Sequence, residues 1–195
     1  MSVASQPKRV LHLERSATEN STILVLEQFQ YYMSAIYAFK LYAFEQPFLE
    51  LYHHPIAANV LVGDAQSYLS TSDIRLTLSG HEYTFTIDAD NNSFGLKGYH
   101  EGELRWVKSS HPANLELELV DHTGKLLARL KERGRPERKM LEVYEECAEN
   151  LLVLMLLSGL VAVDAVFQRI PLHGKGVAKV NSVKKKKKSG KAPRD

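Results

Sequence analysis

The chain is poor in the residues that disulfide frameworks, export signals and most catalytic motifs require. Its 195 residues include one cysteine, Cys147, so no intramolecular disulfide can form. The opening stretch MSVASQPKRVLHLERS has no apolar core of the kind a signal peptide needs. Both absences point to a reducing, intracellular setting, and the cytoplasm is the expected location. The sequons Asn20-Ser21-Thr22 and Asn91-Asn92-Ser93 then read as polar loops.

Phosphate-cradling G-x-x-x-x-G-K-[ST], the nucleophile elbow G-x-S-x-G and the zinc motif H-E-x-x-H are all missing. His81-Glu82 and His100-Glu101 lack the second histidine that a metalloprotease helix would supply. His53 and His54 are adjacent, and on an extended strand neighbours face opposite sides, so they are not expected to chelate together. Cys147 lies among Glu145, Glu146 and Glu149, whose negative charge disfavours a thiolate. No catalytic residue, metal ligand set or cofactor is therefore nominated, and the expected protein is non-enzymatic. No internal repeat and no long Gly/Ser linker divide the chain.

Charge is where the sequence becomes uneven. Residues 170–195 hold nine Lys or Arg against one acid, a net of +8, so the overall +2 leaves residues 1–169 at −6. An acidic body carries a basic tail, with Lys184, Lys185, Lys186, Lys187 and Lys188 in an unbroken row. Such a segment is expected to be disordered by self-repulsion and to seek an anionic partner. Inside the body the dense basic stretch is Arg129 to Lys139, with Arg129, Lys131, Arg133, Arg135, Arg138 and Lys139 against two acids.

From Ile74 to Tyr144 the pattern is short strands between turn residues. IRLTL (74–78) ends at Ser79-Gly80, and in HEYTFTI (81–87) Tyr83, Phe85 and Ile87 alternate with Glu82, Thr84 and Thr86, which reads as a hairpin. ELRWVK, LELELV (115–120), LLARLKE (126–132) and KMLEVYEE (139–146) follow, separated by turns at Asp121–Gly124 and Arg133–Pro136. An antiparallel meander is the economical interpretation. In the first third, TILVLEQF, AIYAFKLYAF and FLELYHH read as strands, with a helix over Gln28 to Phe44 as the competing pattern.

Leu151 to Phe167 is apolar apart from Ser158, Gly159 and Asp164. At about 1.5 Å per residue it spans roughly 25 Å, slightly short of a bilayer core. A tail anchor would hide it in lipid; a curved sheet would hide it in protein. Candidate strands with one apolar face each need a partner, and a helix apolar all round satisfies both needs at once.

Taken together, Phe94 to Trp106, the hairpin carrying Asp121, Gly124 and Ala128, the strand with Leu141, Val143 and Tyr144, and the helix step Ser158-Gly159-Leu160 resemble the tubby C-terminal-domain-like superfamily. That group also includes LURP-one-related proteins and phospholipid scramblases, and small fungal members are the nearest in pattern. The resemblance covers residues 94 to 169. It implies a β-barrel, or strongly curved antiparallel sheet, enclosing a hydrophobic C-terminal helix. The chain has no scramblase-like calcium segment and no cysteine cluster for acylation, so no ligand contact is carried over.

The expected organisation is a flexible N-terminus over 1–20, a barrel domain over 21–169 with its helix at 148–169, and a disordered tail over 170–195. The expected function is peripheral binding of anionic membrane lipid, such as a phosphoinositide, through Arg129 to Lys139 and the lysine run. The alternatives are a nuclear import signal at Lys184–Lys188 on a protein-interaction module, and a tail anchor at 151–167. Nucleic acid is disfavoured because the body is acidic and lacks a stacking motif of aromatic and basic residues. Oligomeric state is left open.

Overall fold

The computed structural model describes residues 6–43, 45–67, 73–88, 93–109, 116–133 and 135–166. Twelve strands appear in chain order: β1 (Arg9–Arg15), β2 (Thr22–Phe29), β3 (Tyr32–Leu41), β4 (Leu49–His53), β5 (Leu61–Ser67), β6 (Ile74–Leu78), β7 (His81–Asp88), β8 (Ser93–Lys97), β9 (Leu104–Lys108), β10 (Glu116–Val120), β11 (Leu126–Arg133) and β12 (Arg135–Val143). The helix α1 (Glu149–Val166) comes last. Each strand pairs antiparallel with its sequence neighbour, and β1 closes the barrel on β12, from Arg9↔Val143 to Glu14↔Arg138. Closure removes the free edges that an open sheet of this size would expose.

The closing strand corrects the expected N-terminus. Residues 9–15 form β1, with Leu11 and Leu13 buried, so the barrel starts well before residue 21. A helix over Gln28 to Phe44 is also excluded, since β3 occupies most of that stretch. β2, β3, β4, β6, β7, β9, β10 and β11 fall on expected segments, whereas β5 and β8 are not expected from alternation and β12 begins at Arg135, inside the expected turn.

An eight-stranded barrel can be filled by its own side chains, whereas twelve strands leave a wider bore. Here the filling is α1, whose cylinder of about 10–12 Å fits inside such a wall. The side chains of Leu152 to Leu157 and Leu160 to Val163 are at most 2% exposed. They meet an inward row that includes Leu11, Phe39, Leu51, Leu76, Phe85, Leu96, Trp106, Leu119, Leu130 and Leu141. Fully burying each of these aliphatic or aromatic groups is worth about 1.5–3 kcal/mol. Among the described residues no helix is long and apolar enough to cross a membrane. The surface that a bilayer would have covered is covered by the barrel wall.

Two sequence motifs meet in one contact inside the bore. The Trp106 indole Nε1–H donates to Ser158 Oγ at 3.0 Å, and Ser158 donates in turn to the Leu154 carbonyl at 2.6 Å. A Cβ on Gly159 would stand 3.0 Å from the Trp106 ring and 3.4 Å from Leu130, so the helix approaches the wall there without a side chain. The hairpin motif is turn chemistry. Asp121 accepts from the Thr123 and Lys125 amides at 2.8 and 3.0 Å, and Gly124 takes φ +83°.

α1 enters at one end of the barrel and runs toward the other. Its first residue, Glu149, is held beside Arg9 and Tyr37 at the end where β12 finishes. Ser158 and Gly159 lie level with Trp106 and Leu130 in mid-wall. The helix therefore leaves toward the end that carries the β11–β12 turn and the β1–β2 connection. The other end carries the β2–β3, β4–β5, β6–β7, β8–β9 and β10–β11 connections.

Candidate functional site

The basic residues from Arg129 to Lys139 run from the wall toward the exit end, and strand alternation distributes them over two faces. Arg129 and Lys131 lie on the outer face of β11, where β10 and β12 place carboxylates beside them. Arg129 bonds Glu116 at 2.9 Å and Glu118 at 2.7 Å, and its guanidinium sits 5.6 Å from the Tyr144 ring centre. Lys131 meets Glu142 at 2.6 Å, and Tyr144 donates to the same carboxylate at 2.8 Å. Burial first, and then the bond to Glu142, pushes the Tyr144 hydroxyl up to about 12. This cluster is internally neutralised, with its charges directed at one another.

Arg138 and Lys139 also have partners but are placed differently. By register, Arg138 lies opposite Glu14 on the outer face, while Lys139 lies opposite Leu13 and Glu132 on the row that faces the bore. Arg138 is exposed and 3.5 Å from Glu14. Together with His12 they line a depression of about 340 Å³ along the closing seam. Arg133 and Arg135 form the adjoining rung by backbone register, and their side chains are not among those described. Lys184 to Lys188 also lie outside the described residues. The sequence-nominated set is thus partly separated. Arg129 and Lys131 are ion-paired with carboxylates on β10 and β12, while Arg138 and Lys139 line the seam depression.

His12 and Glu14 were not nominated from sequence. The alternation of Leu11 and Leu13 with His12 and Glu14 is the signal that would have placed both on an outward face. Their proximity to Arg138 depends on β1 pairing with β12, which local patterning does not specify.

The opposite end has its own polar cluster at the mouth where α1 enters. Arg9 grips Glu27 at 2.5 and 2.8 Å and lies 3.6 Å from Glu149. Buried Tyr37 donates a short hydrogen bond to Glu149 and packs against His53, with ring centres 5.0 Å apart. Burial and that bond hold the Tyr37 hydroxyl far above its ordinary range. Cys147 is half-buried, and burial raises its thiol pKa, with Glu149 adding to the shift and Arg9 opposing it. A thiol in that state is a poor nucleophile.

Beside this mouth a cavity of about 200 Å³ is lined by Tyr99, Asp121, His122, Lys125, Glu145 and Glu146, among others. Lys125 is paired with Glu145 at 3.1 Å. The Asp121 carboxyl is held below its usual range, first by the Thr123 hydroxyl and also by backbone amides, so it serves the turn. No group of three or more His, Cys, Asp or Glu that could hold a metal occurs among the described residues. The geometry here describes a sealed barrel mouth. No protein-family model, curated protein or solved structure matches this chain.

Proposed function

We propose that the protein is a small tubby-like barrel that binds anionic membrane lipid peripherally through its exit end and the lysine run beyond it. The tubby-like reading is supported by the closed twelve-stranded wall around a C-terminal helix, the architecture that the resemblance implied.

One observation carries the lipid reading. α1 runs toward the end where Arg133 pairs with Arg135 and where Arg138 lines the seam depression. The chain that continues from Val166 toward Lys184 to Lys188 therefore starts toward the same end as Arg133, Arg135 and Arg138. Two sets of cations can then face one acidic leaflet, each basic residue near the surface contributing about 1 kcal/mol. Arg129 and Lys131 play no part in this, since they are held among Glu116, Glu118 and Glu142 with 30% and 32% of their side chains exposed, whereas Arg138 pairs with Glu14 while 60% exposed.

The test is sedimentation with vesicles containing phosphatidylserine, at moderate salt. Replacing Lys184 to Lys188 by alanine should release the protein to the supernatant, and Arg138→Ala should weaken binding by a smaller factor. Equal partitioning of the intact and lysine-free proteins would overturn the reading. Nuclear accumulation of a fluorescent fusion that is lost with the same lysines would assign the run to import instead.

A further inference from the structure

Four of the exposed large apolar side chains gather at one hairpin tip, at the far end from the basic turn. Tyr31 is 99% exposed and Tyr32 64%, and Phe29 and Met33 are each more than two-fifths exposed. All four belong to the tip of the β2–β3 hairpin, with Gln30 in a positive-φ turn between them.

This tip stands clear of the barrel. β1 pairs with β2 only as far as Leu11↔Glu27, and β4 pairs with β3 only from His53↔Tyr37. Residues 28–35 thus form a two-stranded ribbon whose outer edges carry no strand partner. By register, Phe29 and Tyr32 share one face, with ring centres 6.1 Å apart, while Met33 opposite Gln28 lies on the other. Apolar groups on both faces of a narrow finger do not suit a flat partner, which could cover one face only. They suit a medium that surrounds the tip.

Charge identifies that medium. From Gln28 to Phe39 there are twelve consecutive residues without Asp, Glu, Lys, Arg or His, in a chain that is 25% charged. A neutral finger tipped by two tyrosines and a phenylalanine matches an uncharged lipid–water interface, where amphipathic rings rest at headgroup depth. A charged residue there would resist entry.

We propose that residues 28–33 insert into the interfacial layer of a bilayer made of neutral, zwitterionic lipid. The inference goes beyond the lysine-based reading and uses the opposite end of the molecule, so each can fail alone.

The experiment exploits the chain's one tryptophan. Trp106 is fully enclosed in the bore and bonded to Ser158, so its emission should not respond to added lipid. Tyr31→Trp, at a fully exposed position, adds a reporter without disturbing packing. Vesicles of pure phosphatidylcholine, with and without bromine on the upper acyl chain, are titrated into the full-length variant. The expected result is a blue shift of the added emission together with quenching by the brominated lipid. Adding Phe29→Ser and Tyr32→Ser should weaken that partitioning at least about tenfold, whereas replacing Lys184 to Lys188 by alanine should leave it unchanged.

No shift and no quenching at any lipid concentration would overturn the inference. So would a shift that grows with protein concentration in the absence of vesicles, alongside a doubled mass by sedimentation equilibrium, because a second copy would then be covering the tip. Quenching lost with the lysines but kept without Phe29 and Tyr32 would also overturn it, leaving the tail as the membrane contact.

Discussion

Removing one hydroxyl from the middle of α1 should measure how firmly the helix is locked to the wall. In Ser158→Ala the Leu154 carbonyl keeps its helical partner, but the Trp106 indole N–H loses its acceptor 3.0 Å away in a site with no water access. Stranding a buried donor costs about 1–3 kcal/mol. A domain of this size loses about 2–4 °C of melting temperature per kcal/mol. The melting temperature, followed by circular dichroism, should therefore drop by roughly 2–12 °C on these scales. Trp106→Phe removes the donor as well, so Ser158→Ala introduced in that background should cost much less. The difference between the two backgrounds is the coupling, expected at about 0.5–3 kcal/mol. If Ser158→Ala is as stable as the parent, or costs the same in both backgrounds, the helix does not sit against Trp106 as described. A helix buried in lipid would give that null result, since Ser158 would then have no partner on β9.

Other perturbations probe separate contacts. Gly63→Ala should destabilise by about 1–3 kcal/mol in urea unfolding, because the new Cβ would stand 2.6 Å from the Thr77 carbonyl oxygen. Lys131→Met should lower stability by at least about 1–3 kcal/mol, by leaving Glu142 short of its cation, without changing binding of the folded protein to acidic vesicles. Tyr37, Tyr42, Tyr52, Tyr99 and Tyr144 all have folded pKa values raised above the ordinary 10. Their contribution is complete below pH 10 and is lost as pH rises, for Tyr144 through about 12. Alkaline unfolding monitored by tyrosinate absorbance should therefore be cooperative, and Tyr144→Phe should flatten the stability slope in that window. Cys147 should react with a thiol reagent at pH 7 more slowly than a free cysteine, and denaturant should abolish the difference.

The strands most visible in the sequence are those with one face in the bore and one in water. LELELV shows this directly, with Leu117 and Leu119 buried and Glu116 and Glu118 meeting Arg129 outside. β3 is harder to read because its outer face is also covered. Ala38 lies opposite Tyr52 on the outside yet is fully buried, so Tyr37, Ala38 and Phe39 form an unbroken apolar run that a helix could equally produce. β1 was missed although its alternation is clear, because its partner is β12, more than a hundred residues away. The same limit applies to the basic cluster. The residue types were legible, but which of them are neutralised depends on hairpin register. Register set Glu118 against Arg129 and brought Glu142 within reach of Lys131.

A barrel whose filling follows the strands of its wall has to be made in an awkward order. During synthesis every strand precedes α1, so the wall emerges with its apolar lining and nothing to put inside it. Closing β1 on β12 joins residues as far apart as Arg9 and Val143, a contact of high sequence separation and hence slow to form. Until residues 149–166 arrive, a growing sheet with a bare apolar face is open to other chains in the same condition. Because the helix follows β12 after only a short linker, the wall and its core become available almost together. Closure and filling are thus best regarded as a single event that waits on residues 149–166, and the interval before it is when this protein most needs protection from its own copies.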